Sequence, residues 1–462
     1  MNFAGKRATI IGLAREGTAL ARFLAEQGAE VTVSDLKKAE ELRESIAALE
    51  GLPIRYALGS HPMEILDGAD TLFVSPGVPL TVPIVVEAER RGIPISTETR
   101  LFAELCPAPI IGVTGSSGKT TTVSLVGEML KAEGLRTWVG GNIGHPLIGH
   151  LEEIAPADKV VMELSSFQLE LFAPGSPGIE GTSPHVAAIL NVAPDHLDRY
   201  PSMEAYIEAK KNIVRYQGED DVAVLGYDDP VCRSIADECR GRVLFFGPSA
   251  EIGQGAFLRD EECVIRLEEE QRICSVGGIK LLGRHNVANI LAACVLAGLA
   301  GASVGAMSHV AQTFEGVEHC LEFVRELRGV RYYNDSIATT PSRVVAALKS
   351  FEAPIILLAG GRDKCLLWDE MAKLTLQKVE HLVLFGEAAP IIGRAVRVTS
   401  NKLRVARPIV HRCATPEEAV EVAVRNAEPG DVVLLSPGGT SFDAFRDFAA
   451  RGDRFKGLVR GL

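Results

Sequence analysis

The sequence predicts an α/β protein of three domains, each built on a mostly parallel sheet, and three observations support that fold class. The 462 residues are about three times the usual length of one domain. Short apolar runs at 8–13, 30–34 and 71–74 alternate with helical patterns such as 18–27, as they do in βαβ units. Hydrophobic residues make up 47% of the chain, which is enough to fill three separate cores.

Changes in the local pattern divide the chain into domains. A pair of prolines, Pro107 and Pro109, precedes a new strand, and a second change falls near 314–320, before a strand that begins at Val330. We therefore expect an N-terminal domain at 1–107, a central domain at 108–316 and a C-terminal domain at 317–462. Apolar runs predict central strands at 110–113, 159–163 and 186–191, and a β-rich insertion at 222–225, 243–246, 263–266 and 272–276. They predict C-terminal strands at 355–359, 382–385 and 432–435.

Composition and charge exclude several classes of protein. The formal net charge of −12 argues against a nucleic-acid surface built on general positive charge. The nine cysteines form no C-x-x-C pair, so we expect neither a disulfide framework nor a zinc knuckle, and a reduced, cytoplasmic compartment. The apolar run near the N-terminus lacks the features of a signal peptide, and the uncharged segment 286–307 has the Ala- and Gly-rich composition of an interior helix. We expect no membrane insertion and a monomer.

A glycine-containing loop joins the strand at 110–113 to the start of a helix. It reads Gly115-Ser116-Ser117-Gly118-Lys119-Thr120-Thr121. Backbone N–H groups of such a loop point at phosphate oxygens, the lysine supplies positive charge, and the threonine hydroxyl is a ligand for Mg²⁺. The strict Walker A spacing is absent, because Val113 stands five residues before Gly118. The position between a strand and a helix nevertheless favours a P-loop-type nucleotide site over an ordinary tight turn.

Two further strands end in groups that suit a nucleotide site. Glu163 closes the strand at 159–163, where an acid reaches the shell of a metal ion, and His196 lies in the loop after the strand at 186–191. Open parallel sheets bind ligands at the carboxyl ends of their strands. Each residue alone would be more typical of a surface or structural position. Together with Lys119 they predict a single site.

The helix predicted at 203–214 places a lysine on its apolar side. Positions 203, 207, 210 and 214 share one face, so Lys210 points inward, whereas Lys211 falls on the polar face. Burial disfavours the charged form of an amine, and a neutral lysine is able to react with CO₂ to give a carbamate. A lysine that snorkels beside an apolar stripe has the same spacing, so the pattern leaves both interpretations open.

A second glycine motif follows the first strand of the chain. The run Gly12-Leu13-Ala14-Arg15-Glu16-Gly17 is similar to a dinucleotide fingerprint, and Asp35 ends the second strand, where an acid holds a sugar hydroxyl. Ala14 replaces the second strict glycine. The motif therefore predicts a Rossmann-like domain that holds a nucleotide diphosphate, without specifying which one.

These motifs, in this order, resemble the Mur ligases of peptidoglycan synthesis. The runs E-L-S-S-F-Q-L and D-H-L-D-R-Y are typical of the member that adds glutamate to UDP-N-acetylmuramoyl-L-alanine, and they distinguish it from folylpolyglutamate synthetases and the other Mur enzymes. The matching stretches cover nearly the whole chain: Ser75–Pro79, Thr114–Thr120, Gly140–Gly144, Glu163–Glu170, Asn191–Tyr200, Ala209–Lys210, Gly283–Asn289, Asn334–Ser336, Gly360–Lys364 and Leu435–Phe448.

The resemblance implies an ATP-dependent amide ligase whose substrates are UDP-N-acetylmuramoyl-L-alanine, D-glutamate and ATP, with an acyl phosphate as the intermediate. It implies that UDP binds the first domain through Arg15, Asp35, Ser75, Pro76 and Gly77, and that the muramoyl-alanine arm lies along Asn142, Ser165 and His196. By the same resemblance ATP contacts Gly115, Ser116, Ser117, Gly118, Lys119, Thr120 and Thr121, with Asn289 at the adenine and Asp335 at the ribose. Thr339, Lys364, Ser441 and Phe448 would surround the glutamate, in a C-terminal Rossmann-like domain that closes over the site.

The resemblance also implies two Mg²⁺ ions. One would use Thr120 and Glu163 beside the phosphates, and the other would use His196 and carbamylated Lys210. The family match favours the carbamate over the snorkelling interpretation of Lys210.

The chain departs from the common family pattern at two positions. Where many relatives read Asp-Ser-Lys and His-Arg, this sequence has Ile337 and Cys320, so two cations near the phosphates are missing, and Arg343 and Arg362 are candidate replacements. Two alternatives to the implied function remain: the same reaction with L-glutamate, and a sensor that binds UDP-muropeptide and ATP without turnover. Binding alone does not need a two-metal centre, so the implied centre counts against the sensor.

Overall fold

The fold comes from a computed structural model that describes residues 2–144, 146–175, 180–196, 199–364, 366–405 and 408–462. The contacts divide the chain into two compact units. Unit 1 comprises 1–192, 203–276 and 289–311, and unit 2 comprises 193–202, 277–288 and 312–462. The chain forms three sheets, and the predicted three-domain α/β class is confirmed.

The N-terminal sheet has five parallel strands in the order β3-β2-β1-β4-β5. Its elements are β1 (Arg7–Ile11), α1 (Arg15–Glu26), β2 (Glu30–Asp35), α2 (Arg43–Ala47), β3 (Ile54–Leu58), β4 (Thr71–Val74), α3 (Pro83–Arg90), β5 (Ile95–Ser96) and α4 (Glu98–Leu105). The central strands are almost wholly apolar, as in sheets covered on both faces. The loop after β1 therefore lies at the carboxyl edge of the sheet.

The central sheet has nine strands in the order β14-β13-β12-β11-β10-β9-β6-β8-β7. Its strands are β6 (Ile110–Thr114), β7 (Thr137–Gly141), β8 (Lys159–Glu163), β9 (Val186–Ile189), β10 (Val222–Gly226), β11 (Arg242–Gly247), β12 (Gly255–Arg259), β13 (Glu262–Arg266) and β14 (Glu270–Ser275). Its helices are α5 (Lys119–Ala132), α6 (Ser166–Glu170), α7 (Met203–Arg215), α8 (Pro230–Ile235), α9 (Arg284–Leu299) and α10 (Val304–Thr313). Strand β6 pairs in parallel with both β8 and β9, so the strand ends predicted to converge are neighbours.

The C-terminal sheet has six strands in the order β15-β16-β20-β17-β18-β19, and only the β15–β16 pair is antiparallel. Its strands are β15 (Glu322–Leu327), β16 (Val330–Asn334), β17 (Ile355–Gly360), β18 (Val379–Phe385), β19 (Ile409–Arg412) and β20 (Val432–Gly438). Its helices are α11 (Pro341–Lys349), α12 (Asp369–Lys378), α13 (Ala389–Leu403), α14 (Pro416–Asn426) and α15 (Phe448–Arg460). Two apolar cores cover its two faces, one under α11 to α13 and one under α14 and α15.

The structure differs from the sequence prediction in the region called a β-rich insertion. Those strands do not stand apart: β10, β11 and β12 continue the central sheet in parallel, and β13 and β14 extend it by antiparallel pairing. Alternating apolar residues indicate a strand but not its partners. Six further strands were not predicted, since they are short or carry polar and exposed residues: β3, β5, β7, β12, β15 and β19.

The uncharged segment at 286–307 forms most of α9 and the start of α10, and its central residues are buried inside unit 1, as predicted for an interior helix. No helix in the described ranges is long and apolar enough to cross a bilayer. The eight cysteines that the structure describes are all free thiols.

Candidate active site

The loop after β6 has the geometry of a phosphate-binding loop. Gly118 has a φ of +83° and directly precedes α5. A Cβ at this position would collide with Oδ1 of Asn289, which lies on α9 in the same unit. Only glycine fits this backbone shape and this close approach. Residues 119–121 form the first turn of the helix, so their N–H groups point out of the helix end, where an anion binds.

Asn191 holds this loop in shape, and the sequence reasoning did not single it out. Its Oδ1 accepts hydrogen bonds from the backbone N–H of Ser117 at 2.9 Å and from the hydroxyl of Ser117 at 3.2 Å. Its Nδ2 donates to the Ser117 carbonyl at 3.1 Å, and its own carbonyl accepts from the N–H of Ser116. The Ser116 hydroxyl also contacts the hydroxyl of Tyr206 at 3.0 Å. The signal for Asn191 was its place directly after an apolar strand, which is shared with many loop residues.

Two lysines converge on the first residue of the loop. Lys119 donates to the carbonyl oxygen of Gly115 at 2.8 Å, and Lys210, from α7, donates to the same oxygen at 3.1 Å. Lys210 also donates to Oγ1 of Thr114 at 3.3 Å, and its amine lies 4.7 Å from the centre of the Tyr206 ring.

The predicted inward orientation of Lys210 is confirmed, since this residue is 1% exposed. Lys211 points away from the buried side of α7 and forms ion pairs with Glu208 and Glu238. The sequence had suggested an apolar environment for Lys210. The structure instead places the buried amine among hydrogen-bond acceptors at the nucleotide loop, because its long side chain reaches past the apolar stripe of the helix.

Glu163 lies beside the start of α5 and is almost fully buried. Its Oε2 accepts a hydrogen bond of 2.7 Å from the Thr120 hydroxyl, and its Oε1 accepts one of 2.8 Å from Nδ2 of Asn142. Asn142 follows β7, and its carbonyl accepts a hydrogen bond from Arg15 at 3.2 Å. The predicted residues Thr120, Glu163, Asn142 and Arg15 are therefore linked in unit 1.

The Thr120 and Glu163 oxygens fit a hard divalent cation. Mg²⁺ is bound through one or two carboxylates and hydroxyls, with phosphate oxygens and waters in its other positions. Within the ranges that the structure describes, no three His, Cys, Asp or Glu side chains cluster as a complete metal site. A single carboxylate is what a substrate-dependent Mg²⁺ site requires, so these residues fit the ion without a protein cage.

The loop after β1 is tied to the end of β2. Oδ2 of Asp35 accepts from the N–H of Leu13 at 2.8 Å, and the Ser75 hydroxyl donates to the carbonyl of Gly12 at 3.2 Å. Gly12 has a φ of +96°, and a Cβ on Gly17 would collide with the Gly12 carbonyl. The predicted residues Asp35 and Ser75 thus contact one glycine-dependent loop, beside Pro76 and Gly77.

A buried network joins this loop to Ser165. The N–H and the hydroxyl of Ser165 both donate to Oε1 of Gln168 at 2.9 Å, while Nε2 of Gln168 donates to Glu16 at 3.0 Å and to Thr99 at 2.9 Å. The Thr99 hydroxyl donates to Glu98 at 3.2 Å. All four hydrogen-bonding positions of the Gln168 amide are used, so its orientation is fixed.

Two acids in this network have raised pKa values, which favour their neutral forms. Burial raises the pKa of Glu16 to about 7, although the charge of Arg15 and the Gln168 amide act against it. Burial and the charge of Glu16 raise the pKa of Glu98 to about 8. In the described chain, Oε2 of Glu16 has no hydrogen-bond partner. The sequence analysis assigned no role to either acid, because their burial depends on elements distant in the chain.

In unit 2, His196 and Lys364 meet at Asp195. The carboxylate of Asp195 lies 3.4 Å from Nζ of Lys364 and 3.5 Å from Nε2 of His196. Burial alone would raise the pKa of Asp195, but the charges of Lys364, His196 and Arg343 outweigh it and hold that pKa below its usual value. Asp195 therefore positions two predicted site residues, although it was not itself predicted.

Asp335 is buried at the end of β16. Its Oδ2 accepts from the Ser436 hydroxyl at 2.7 Å and its Oδ1 accepts from the N–H of Leu321 at 3.2 Å. Burial raises the pKa of Asp335 to about 7, against the effect of these hydrogen bonds and of the charges of Arg343 and Arg451. Both carboxylate oxygens are thus engaged within unit 2.

The other predicted residues of unit 2 lie around the ends of the same strands. Thr339 belongs to the turn after β16, where its N–H donates to the Ile337 carbonyl. Ser441 is buried after β20, and Phe448 begins α15, with its ring 6.0 Å from that of His319. Two adjacent strand ends, those of β16 and β20, supply these groups.

The two candidate replacement arginines have different surroundings. Arg343 donates from Nη1 to the carbonyl of Ile337 at 2.9 Å, and its charge acts on both Asp195 and Asp335. Arg362 is exposed and forms a bidentate pair with Glu387. Only Arg343 therefore brings its charge to the position where Ile337 lacks one.

The sequence matches three domain families over most of its length. The Mur ligase MurD-like N-terminal domain matches 6–97, the Mur ligase middle domain matches 113–297, and the Mur ligase glutamate ligase domain matches 320–439. The chain belongs to the Mur ligase family. The phosphate loop, Glu163, Asn191 and Lys210 all fall in the Mur ligase middle domain.

Similar Mur ligases of known name match nearly end to end. The UDP-N-acetylmuramoylalanine–D-glutamate ligase of Symbiobacterium thermophilum is 46% identical over 460 residues, which are 99% of this chain and 98% of that protein. The ligase of the same name from Acetivibrio thermocellus is 42% identical over 459 residues, which are 99% of this chain and 97% of that protein.

Solved structures of more distant Mur ligases share the fold. The UDP-N-acetylmuramate-alanine ligase of Thermotoga maritima aligns with a TM-score of 0.63 and 20% identity, over 98% of this chain and 99% of that one. A pseudomurein peptide ligase type C from Methanothermus fervidus aligns with a TM-score of 0.60 and 18% identity, over 99% of this chain and all of that one. At such identities the likeness concerns the fold alone.

Proposed function

We propose that this Mur ligase joins D-glutamate to UDP-N-acetylmuramoyl-L-alanine, with hydrolysis of ATP to ADP and phosphate, in the synthesis of peptidoglycan precursors. The observation that carries the proposal is the identity of 46% over 99% of the chain to a ligase named for D-glutamate. The local geometry supports it, because a phosphate loop, a buried acid and two lysines meet in one unit.

The first chemical step would be attack of the alanyl carboxylate on the γ-phosphate of ATP. Several anionic groups have to be brought together, so the protein mainly positions them and neutralises their charge. Lys119 and the N–H groups at the start of α5 would hold the phosphates, with Asn289 and Asp335 as the proposed contacts to the adenosine. Asn142, Ser165 and His196 would hold the muramoyl-alanine arm.

Mg²⁺ would be bound by the oxygens of Thr120 and Glu163, and when bound it would supply positive charge to the transferring phosphate. Glu163 contributes the negative charge, and Asn142 fixes the orientation of its carboxylate. His196 and a carbamate on Lys210 are the proposed ligands of a second ion. The position of the Lys210 amine beside the Gly115 carbonyl supports a role near the phosphates rather than a purely structural one.

In the second step the amine of glutamate would attack the carbonyl carbon of the acyl phosphate and form a tetrahedral intermediate. Collapse of this intermediate would expel phosphate and leave the amide. Lys364 is the proposed cation for a glutamate carboxylate, and Asp195 holds its ammonium group in place. Thr339, Ser441 and Phe448 would complete the glutamate site. An acyl phosphate hydrolyses in water, so we propose that the C-terminal domain, 317–462, closes over the central domain, 108–316.

The N-terminal domain, 1–107, would hold the UDP group through Arg15, Asp35, Ser75, Pro76 and Gly77. The proposed location is the cytoplasm and the proposed state is a monomer. No role for nucleic acid is proposed, in keeping with the net charge of −12.

Release of ADP and phosphate in the presence of UDP-N-acetylmuramoyl-L-alanine, measured with a panel of amino acids, tests the proposal. We expect turnover with D-glutamate and little with L-glutamate. A higher kcat/KM for L-glutamate would overturn the stereochemical assignment. Binding of both nucleotides without ADP release would favour the sensor alternative, and the Lys119→Ala variant provides the background rate.

A further inference from the structure

One segment of unit 2 has the opposite charge to the rest of the chain. From Ala388 to Pro416 the sequence has six Lys and Arg residues and no Asp or Glu, whereas the whole protein carries −12. The structure describes five of these cations, and all five are exposed: Arg394, Arg397, Lys402, Arg404 and Arg412. None of the five forms an ion pair with another described residue. The segment therefore presents positive charge that the fold does not neutralise.

The same segment exposes apolar side chains. Fifteen large hydrophobic residues are exposed in the described chain, and six of them lie here: Ile391, Val398, Leu403, Val405, Ile409 and Val410. Val398 is 57% exposed and Ile409 is 60% exposed. Single exposed apolar residues are ordinary, but a cluster of this kind marks an interaction surface.

The cations and five of the six apolar residues share one surface. One stripe of α13, with the spacing i, i+3, i+7, i+11, holds Ile391, Arg394, Val398 and Lys402. Another side of the helix is buried. Strand β19 is the edge of that sheet. The guanidinium of Arg412 on β19 lies 3.4 Å from where a Cβ of Gly393 would stand, so strand and helix are adjacent. On β19, Val410 and Arg412 point to the α13 face, whereas Ile409 points to the opposite face of the sheet. The five cations and the five apolar residues other than Ile409 are called the basic apolar face below.

We propose that the basic apolar face binds the surface of a bilayer that contains anionic phospholipid. Interleaved cations and aliphatic side chains match such a surface, because the cations meet phosphate headgroups while the aliphatic groups enter the boundary of the acyl chains. At physiological salt the Debye length is about 8 Å, so the local charge outweighs the distant acidic surface.

Other occupants fit the face less well. A second copy of the chain would bring five cations against the same five cations. A nucleic acid would use the cations, but it would leave five aliphatic side chains against its phosphates. An acidic protein remains as an outcome of the experiment.

Sedimentation with lipid vesicles tests the proposal. We expect the wild type to bind vesicles of phosphatidylcholine with about one third phosphatidylglycerol, and not vesicles of phosphatidylcholine alone. The double variant Arg397→Glu/Lys402→Glu should bind at least about tenfold more weakly, and Val398→Asn several-fold more weakly. All three changes are at exposed positions outside the proposed catalytic machinery, so ADP release in solution should match the wild type.

The matched control reverses two exposed cations on α14 and α15, helices that cover the opposite face of the sheet, as Arg425→Glu/Arg460→Glu. This variant has the same net charge as the first and should bind as the wild type does. Equal loss in both double variants would overturn the proposal, because it would reflect net charge alone. Failure of the wild type to bind phosphatidylglycerol vesicles in about 0.1 M salt would also overturn it, and would point to an acidic protein as the partner.

Discussion

Lys119 and Lys210 donate hydrogen bonds to one and the same oxygen, the carbonyl of Gly115. Two ammonium groups around a single acceptor repel each other, and this repulsion is strongest where water is scarce. Negative charge beside the two amines, as the phosphates of a nucleotide or as a carbamate on one of them, would offset this repulsion. Lys210 is buried, whereas Lys119 is partly exposed.

The Lys210→Ala variant should lose nearly all ligase activity, by about 1,000-fold or more in kcat, because the proposed carbamate ligand and a contact of the phosphate loop disappear together. Formate or acetate in the medium should restore part of the activity by filling the vacated space. Lys211→Ala is the control, since it removes only the ion pairs with the exposed residues Glu208 and Glu238. Full activity of Lys210→Ala, or an unmodified amine in ¹³C NMR spectra recorded with labelled bicarbonate, would contradict the carbamate.

The Lys119→Ala variant should abolish ATP turnover while UDP-N-acetylmuramoyl-L-alanine still binds within about threefold of the wild-type affinity. The reason is that Lys119 belongs to the loop after β6, whereas the proposed UDP site lies at the loop after β1 in a different sheet. Isothermal titration calorimetry with each ligand separately measures both effects. Loss of both affinities together would argue against the assignment of the two ligands to different domains.

Exchange of Gly118 for Ala should weaken ATP binding about tenfold or more, because the new Cβ collides with Asn289. Gly134 offers a matched control, since its φ of +85° is similar and a Cβ at this position would meet no atom within 4 Å. Gly134→Ala should cost about 1 kcal/mol of stability from the backbone strain and leave the KM for ATP unchanged. Equal effects of the two changes on that KM would show that strain, and not the collision, is responsible.

Arg343→Ala should lower kcat about 10- to 100-fold, whereas Arg362→Ala should stay within about twofold of the wild type. Together with Lys364 and His196, Arg343 helps to hold the pKa of Asp195 below its usual value, whereas Arg362 only pairs with Glu387 at the surface. Loss of Arg343 should also raise the pKa of Asp195, so the acidic limb of the pH–rate profile should move to higher pH. An unchanged acidic limb in Arg343→Ala would contradict this role.

Stability should depend on pH through Glu98. Its pKa is about 8 in the folded chain and near 4.5 when unfolded, so the folded state binds the proton more tightly. The stabilisation is fully present below pH 4.5 and is lost as the pH rises through about 8, with a slope of at most about 1.4 kcal/mol per pH unit.

As the pH rises from 6 to 8.5, the Tm of the Glu98→Gln variant should therefore fall less than that of the wild type, as measured by differential scanning calorimetry. Glu44→Gln changes an exposed acid of the same unit and should follow the wild-type dependence. A parallel decline of Glu98→Gln and the wild type would mean that Glu98 is ionised in the fold throughout this range.

The sequence predicted the features that depend on local pattern. The strand before Gly115 followed from a run of apolar residues and is confirmed. The predicted inner face of α7 is confirmed at Lys210 and Val214, whereas Met203 and Ile207 are only half-buried. The roles of Asn191 and Asp195 did not follow, because each acts through contacts whose geometry depends on pairing between distant strands and loops. Glu16 was visible only as part of a glycine motif, and its burial next to Glu98 depends on packing between α1 and α4.

The position of β20 in the C-terminal sheet bears on how the protein is made. This strand is the last of the chain, yet it pairs with β16 on one side and with β17 on the other. During translation these two strands leave the ribosome about 70 to 100 residues before the strand that joins them. Until β20 is made, the facing edges of β16 and β17 stay unpaired and are open to chaperones and proteases. A premature stop codon before Val432 would remove the middle of the sheet instead of trimming its end.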